Sequence, residues 1–552
     1  MNVDNSTPRD PDALSGEHSN RWLALAAVAL GVSLIIMDAT VVNVALPEVI
    51  EDIHLTSTQA EWMNAVYSLM FAALLLTVGR VGDLYGRRKL FGAGMVVFML
   101  SSVAAGFAND GNALIAARLV QGVGAAAILP ATLSTLNAMF QGRARAIAFA
   151  VWGSTIGGMA AVGPLAGGWL TTNWSWRWAF WLNLPFGLLV LLGILLWVPE
   201  TRDDSGPRGL DVVGALISAL GMGGIVFALI EGQNYGWWRQ DSGAISPVPI
   251  VLIVGLGLMV GFVLLQQSRA RLGKVVLVDL RLLGVRSFRY GSIAALIVAL
   301  GEFGLLFTLP LLLQNSLGYS ALGTGWLIVS LAVGTFVISG MTPQLTARFG
   351  GRTVVRLGLG LEAFAVAGLA LTLSASISGW LIALWLFIYG TGVGMATAQL
   401  TSVILAEIPV AESGQASGLQ STFRQVGSAL GVAILGSLLI TSLGNATTTN
   451  LDAAGLPASA SGQIVDVVTN SAGAVIPALT SDPTTAAAGT AASAAGMITA
   501  SKITTGVAAL IIGIGLAATW ALPKLPPTPA PSPTREAGES ASEPGKPRRR
   551  RS

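Results

Sequence analysis

The chain has 552 residues, of which 53% are hydrophobic and 11% charged, with a mean hydropathy of +0.69. A soluble domain carries about 25% charged residues, so composition excludes a soluble globular fold and leaves a polytopic membrane protein. Cysteine is absent, which excludes disulfides, thiolate metal sites and cysteine nucleophiles. The net charge of +3 lies partly in Arg548 to Arg551 and in loops beside apolar segments, an arrangement that argues against nucleic-acid binding.

Residues 1–20 are polar and read as a cytoplasmic N-terminal tail without a cleavable signal. The first apolar segment, 22–46, carries Asp38 and Asn43 within MDATVVNVALP. An ionisable group inside a membrane helix costs about 2.5–3.5 kcal/mol, which makes each one a functional candidate. Asp38 is read as a proton- or cation-handling carboxylate, against the alternative of a carboxylate hydrogen-bonded to a neighbouring helix. Asn43 is read as a packing or hydrogen-bonding group.

Between the second and third apolar segments stands GRVGDLYGRRKL, residues 79–90. Gly79, Gly82 and Gly86 permit a tight turn, and Arg87, Arg88 and Lys89 place it on the cytoplasmic side. Asp83 is positioned to pair with an arginine or a helix N-terminus. The fourth segment carries Arg118 in RLVQGVG, with Gln121 three residues on and sharing its face. Gly122 and Gly124 allow close helix contact there, and Arg118 is read as a coupling or gating group. The fifth contains GGMAAVGPLAGG, residues 157–168, in which Gly163-Pro164 interrupts the hydrogen-bond ladder. Gly158, Gly167 and Gly168 give that helix a smooth face for bending, sliding or ordinary tight packing. Trp174, Trp176, Trp178 and Trp181 read as an interfacial aromatic belt.

Counting about 20 residues per span, the chain holds fourteen segments, the last at 501–522. Arg and Lys alternate between successive loops in a way that puts both termini in the cytoplasm. Stretch 443–500 has neither residue and reads as a large external loop, partly disordered or forming a weakly amphipathic hairpin. Residues 523–552 read as a disordered, basic cytoplasmic tail.

Glu302, in the ninth segment, parallels Asp38 and is the second choice for proton or cationic-substrate binding. Glu362 follows in the eleventh; Arg424 opens the thirteenth near the cytoplasm, and Glu231 reads as an interfacial carboxylate. PQLTARFGGR at 343–352 is a faded copy of the first charged loop, with Gly350 at the place of Gly86 and Ala347 at that of Asp83. Two homologous bundles leave such a trace. The expected fold is an all-α polytopic protein of two six-helix bundles plus two inserted helices. The division is 21–198 for the first bundle, 199–287 for the inserted pair with its loops, and 288–522 for the second bundle. GTGVGMA at 390–396 follows no strand, and no P-loop is present, so nucleotide hydrolysis is not expected.

Asp38 to Pro47, the loop 79–90, Arg118 to Gly124, Gly163 to Gly168 and Trp176 to Pro185 together resemble the motif set of the fourteen-span drug:proton antiporters. This is the EmrB/QacA-like branch of the major facilitator superfamily, and the likeness covers roughly 20–440 and the last span. It implies export of amphipathic, often cationic compounds by alternating access, driven by the proton gradient without a cofactor. It implies Asp38 as a proton or substrate-cation site, Arg118 as a coupling group, and Asp83 with Arg87 and Arg88 as a cytoplasmic latch. The expected partners are small substrates, protons and lipids, and the expected setting is the bacterial cell membrane, with the chain a monomer. The thirteenth span lacks the acidic residues that some multivalent-cation exporters of this group carry. The alternative is a dedicated exporter of one endogenous metabolite, antibiotic or lipid. A membrane enzyme would need a clustered catalytic set that the sequence does not display.

Overall fold

In the computed structural model the chain is described over residues 11–140, 142–201, 209–232, 234–240, 244–408, 413–481 and 486–522. The side chain of Asp83, the surroundings of Gly158, the arginines at 143, 145, 202 and 208, and the tail expected at 523–552 lie outside the described residues.

The helices in chain order are α1 Pro11–Asp52, α2 Ser57–Tyr85, α3 Arg87–Gly106, α4 Gly111–Met139, α5 Gly142–Asn173, α6 Trp178–Trp181 and α7 Asn183–Trp197. There follow α8 Val212–Glu231, α9 Pro247–Arg271, α10 Arg286–Asn315, α11 Ala321–Phe349, α12 Gly351–Thr372, α13 Gly379–Leu405 and α14 Ser413–Ala453. Two more complete the chain: α15 Ala458–Asn470 and α16 Ala486–Ala518. Polar caps start them: Thr56 and Gln59 form a capping box on α2, and Asp110 accepts from the Ala113 amide on α4. Among the described residues twelve helical stretches are long and apolar enough to cross a membrane, α6 and α7 counting as one. With α2 and α5, of 29 and 32 residues, the architecture is compatible with fourteen.

The packing repeats. In the first bundle α1 lies on α5 and α7, α2 on α4, and α3 on α4 and α7. In the second, α10 lies on α14 and α16, α11 on α13, and α12 on α13 and α16. The bundles meet along two seams, α2 on α14 and α5 on α11, while α8 and α9 pack on each other and α8 lies against both helices of the α2–α14 seam. Asp211 caps α8 and also binds Gln266 and Arg269 of α9, which ties the inserted pair together.

The two charged turns share one geometry. Gly86 joins α2 to α3 at φ +113° and donates to the Gly82 carbonyl at 2.9 Å. Gly350 joins α11 to α12 at φ +80° and donates to Thr346 at 2.8 Å, each residue 264 positions on (350 − 86 and 346 − 82). We call this side the basic end. Positive φ costs a residue with a Cβ about 1–2 kcal/mol, and a β-carbon on Gly86 would also fall 2.5 Å from Glu200 Oε1. Gly86→Ala is therefore expected to lower the unfolding temperature of the detergent-solubilised protein. Gly350→Ala, with nothing within 4 Å of the added carbon, should lower it less.

Three expectations change. Stretch 443–500 is helical over most of its described length, through the end of α14, α15 and the first turns of α16. Its Ala, Thr, Ser and Gly residues add little hydropathy but form helix once buried, as Ile464 and Val468 of α15 are. Helix α5 runs through Pro164 without interruption. Trp176 is 1% exposed and donates to Asp52 at 2.9 Å, so it is a core residue, whereas Trp174 and Trp178 remain exposed.

Candidate functional site

Asp38 is 0% exposed and lies where α1 meets α4 and α7. Its Oδ2 accepts from Arg118 Nη1 at 2.6 Å, and its Oδ1 accepts from Gln121 Nε2 at 2.8 Å and Asn183 Nδ2 at 2.7 Å. Arg118 also donates to Gln121 Oε1 at 2.7 Å and to the Met63 carbonyl at 3.4 Å, and its guanidinium stands 4.3 Å from the centre of the Tyr67 ring. Asn183 reaches on to Ser102 Oγ at 2.9 Å, and that hydroxyl donates to the Phe180 carbonyl at 2.8 Å. One carboxylate thus joins α1, α2, α3, α4, α6 and α7 through a connected set of donors. A buried charge persists only when paired and hydrogen-bonded, and this one is both.

Glycines make the burial feasible. A β-carbon at Gly122 would fall 2.7 Å from the Tyr67 carbonyl, and one at Gly124 2.7 Å from the Phe98 amide. Helix α4 therefore presses flush on α2 and α3 and closes the cluster over Arg118. Sequence reasoning singled out Asp38, Arg118 and Gln121 separately; the structure brings them together. Asn43 stands apart, donating to the Ala39 carbonyl of its own helix at 3.1 Å. Asn183, Ser102 and Tyr67 are the members that sequence reasoning missed. Asn183 lies inside the quoted WRWAFWLNLP motif, where a lone polar residue was the available signal.

The second bundle carries a looser charge set. Glu302 of α10 lies 3.9 Å from Arg424 of α14, with side chains 15% and 33% exposed. Arg424 lies eleven residues inside α14 (424 − 413) rather than at its opening. Glu302 is not among the hydrogen-bond partners of Asp38, which are Arg118, Gln121 and Asn183. Glu61, also missed, is 2% exposed at the α2–α14 seam and accepts from Ser437 Oγ at 3.1 Å. Glu231 accepts from Trp62 and Asn234, each at 2.9 Å, and so ties α8 to α2.

The glycine motif sits at the other seam. A β-carbon at Gly163 would meet Thr40 and one at Gly167 would fall 2.9 Å from the Val41 carbonyl, both on α1. One at Gly168 would fall 2.5 Å from the Ala321 carbonyl of α11, and one at Gly325 of α11 2.6 Å from the Pro164 carbonyl of α5. Helix α5 thus packs backbone against backbone both on α1 of its own bundle and on α11 of the other. Hydrogen bonds that cross between bundles join Gln314 to Val44 (2.9 Å), Leu322 to Thr172 (3.1 Å), Ser437 to Glu61 (3.1 Å) and Ser68 to Ser428 (3.1 Å). Each lies at mid-depth or towards the end opposite the basic turns.

At the basic end, Gly79 packs on Pro130 and Gly82 on Leu90. The Arg87 amide donates to the Thr201 carbonyl at 2.9 Å, the Arg88 amide to Glu200 Oε1 at 3.1 Å, and the Arg88 guanidinium to the Leu195 carbonyl at 2.7 Å. The first turn is therefore pinned to the end of α7, within its own bundle, by a glutamate that sequence reasoning did not single out. Where the inserted pair adjoins the seam, an apolar recess of about 290 Å³ is lined by Met222, Met259, Phe262, Phe423 and Leu430.

Two homologous six-helix bundles, each tied internally and meeting along two helix seams, define a membrane transporter. Residues 28–432 match the profile of the Major Facilitator Superfamily, and the chain belongs to that family. It is 35% identical over 446 residues to the puromycin resistance protein pur8 of Streptomyces alboniger, covering 78% of this chain and 84% of that one. It is 32% identical over 440 residues to the multidrug efflux pump LfrA of Mycolicibacterium smegmatis, covering 78% and 82%. Identity to the probable actinorhodin transporter of Streptomyces coelicolor is 31% over 444 residues, covering 79% and 75%. Among solved structures, a bacterial homolog of the human lysosomal transporter Spinster, inward-facing and occupied, superposes with a TM-score of 0.61 at 17% identity. That match covers 90% of this chain and 95% of the other, and at such identity it speaks for the fold.

Proposed function

We propose that the protein is a proton-driven secondary transporter that exports amphipathic or cationic antimicrobial compounds by alternating access. The observation that carries this reading is the seam between the bundles: at Gly168 and Gly325, α5 and α11 meet backbone against backbone, a close contact that glycine permits and that two bundles can make and release as units. Two internally rigid bundles joined in this way rock about a site between them. The basic turns belong in the cytoplasm by their arginines and lysines, so the contacts described lie towards the external end. Both termini are then cytoplasmic, in the cell membrane of a bacterium. Asp38, Arg118 and Gln121 keep the first bundle rigid as it moves, and Glu302, the more exposed carboxylate, is the one that protons and cationic substrates reach. The turn 79–90 holds α7 in place, and Asp83 is its latch.

Relatives named as drug pumps support the broad substrate class. A second reading, export of one compound, is favoured by relatives named for single antibiotics, among them a tetracenomycin C resistance and export protein.

The test is transport by the purified protein in proteoliposomes. A monovalent lipophilic cation such as ethidium is expected to accumulate when the lumen is acidic and to stop doing so when the pH gradient is collapsed. Movement indifferent to the gradient would remove the proton from the mechanism. A susceptibility profile in a host lacking its own pumps separates many substrates from one.

A further inference from the structure

The recess beside the inserted pair plays no part in the transport reading. Its walls come from α2, α8, α9, α10 and α14 and from the loop between α9 and α10. Met259 and Phe262 of α9, Leu283 of the loop, Leu296 of α10 and Phe423 of α14 line it. Among the described residues its polar lining is limited to Ser218 and Thr422. Both hydroxyls donate at 3.0 Å to carbonyls of their own helices. The recess therefore leaves a charged ligand unsolvated and suits a flexible chain of methylenes, to which methionine adapts.

Its depth is that of one leaflet. Helix α10 leaves the basic end and α11 returns to it at Gly350. Leu296 lies ten residues into α10 (296 − 286), and Met259 lies twelve before the end of α9 (271 − 259). At about 1.5 Å per residue the recess reaches about 15–18 Å inward from the basic end, roughly half of a hydrocarbon core about 30 Å thick. Val263, also in its wall, is 38% exposed, so the recess opens towards the face that lipid surrounds.

The loop at its mouth is held in place and is basic. Gln266, 0% exposed, accepts from the Leu277 and Val278 amides at 2.8 and 3.3 Å and donates to Asp211 at 2.6 Å. This folds the loop back on α9 and sets Leu277 and Leu283 in the wall. Residues 269–289 carry six basic side chains and one acidic, Asp279. Arg269 pairs with Asp211, and Arg281 with Asp279. Arg271, Lys274, Arg286 and Arg289 are exposed and form no ion pair among the described residues. Glu407 comes to the start of α10, where it accepts from the Ser287 amide at 3.2 Å. An uncharged slot beneath four exposed cations complements a lipid with an anionic headgroup and repels a cationic drug at its mouth.

We propose that the recess holds one acyl chain of an anionic phospholipid of the cytoplasmic leaflet, whose phosphate rests on Arg271, Lys274, Arg286 and Arg289. The bound lipid fastens the inserted pair to the α2–α14 seam. The inference uses the cytoplasmic placement of the basic end and is independent of what the protein exports.

The experiment uses the full-length protein in detergent and a phosphatidylglycerol with a photoreactive diazirine midway along one chain. Illumination is expected to label the α9 and α14 peptides that contain Met259, Phe262 and Phe423. Unlabelled dioleoylphosphatidylglycerol should compete about tenfold better than dioleoylphosphatidylcholine, and glycerol phosphate, which has no chain, should not compete. Arg286→Gln with Arg289→Gln should weaken phosphatidylglycerol binding roughly 30-fold at low salt, the loss of two charges facing an anionic headgroup. If that variant does not fold, Arg271→Gln with Lys274→Gln carries the same expectation. Met259→Trp, which fills the recess, should abolish labelling there. Equal competition by the two lipids, or labelling confined to other helices, overturns the proposal. Displacement by ethidium would make the recess a drug site, and displacement by glycerol phosphate would make the loop an anion site without a chain; either outcome overturns it too. Ethidium transport indifferent to a pH gradient would sink the export reading and leave this lipid site standing.

Discussion

Asp38→Ala is expected to leave little folded protein. The substitution strands the Arg118 guanidinium, 1% exposed, with Gln121 and Met63 as its remaining oxygen partners. Removing one member of a buried ion pair costs about 3–5 kcal/mol, a large share of the 5–15 kcal/mol that typically holds a protein folded. The double variant Asp38→Leu with Arg118→Met should recover most of the loss, because a buried pair replaced by apolar side chains of similar volume is often neutral. The readout is the monodisperse peak in detergent and its thermal midpoint for both variants. A single variant as stable as wild type would mean that the cluster does not hold the bundle together. A double variant no better than the single would mean that Gln121 and Asn183 need the carboxylate as much as Arg118 does.

The bundles and the inserted pair were legible because hydropathy and the alternation of basic loops depend on long segments, which single residues do not blur. Asp38 and Arg118 were legible one at a time, since a charge inside an apolar run is costly wherever it points. Their pairing was not, because 80 residues separate them (118 − 38) and only the close approach of α4 at Gly122 and Gly124 joins them. Asn183 stayed hidden because one amide among apolar neighbours hardly lowers the hydropathy of a segment. The internal repeat located Glu302 opposite Asp38 but did not convey its environment. The matching region of α13 carries Ile382 and Leu386, both buried, where α4 carries Arg118. Glu302 therefore finds its arginine on α14 instead. Helix within 443–500 was obscured by residues that are weak in hydropathy and strong enough as helix formers once neighbours cover them.

Gly168→Leu is expected to abolish transport while leaving each bundle folded. The added β-carbon would fall 2.5 Å from the Ala321 carbonyl oxygen and 2.9 Å from Leu322 Cα. These are backbone atoms at the start of α11, held by the Ser320 cap and by the Leu322 amide on Thr172, so they cannot rotate aside as a flexible side chain would. The collision is between bundles rather than inside one, so it opposes closure of that end and leaves the α1–α5 contact at Gly163 and Gly167 intact. If alternating access requires that closure, transport in proteoliposomes should fall by about 100-fold or more, the effect of a block near 3 kcal/mol. The absence of cysteine from the chain supplies a direct readout of the gate. A single cysteine introduced at Thr171, 5% exposed and one turn from Gly168, should react slowly with a membrane-impermeant maleimide in the otherwise unaltered protein and rapidly beside Gly168→Leu. Gly168→Ala, with a smaller side chain but the same β-carbon, should fall between the two in both assays. Transport and labelling unchanged by leucine would show that α5 and α11 do not form the gate, and the seam would then have to close through α2 and α14 alone.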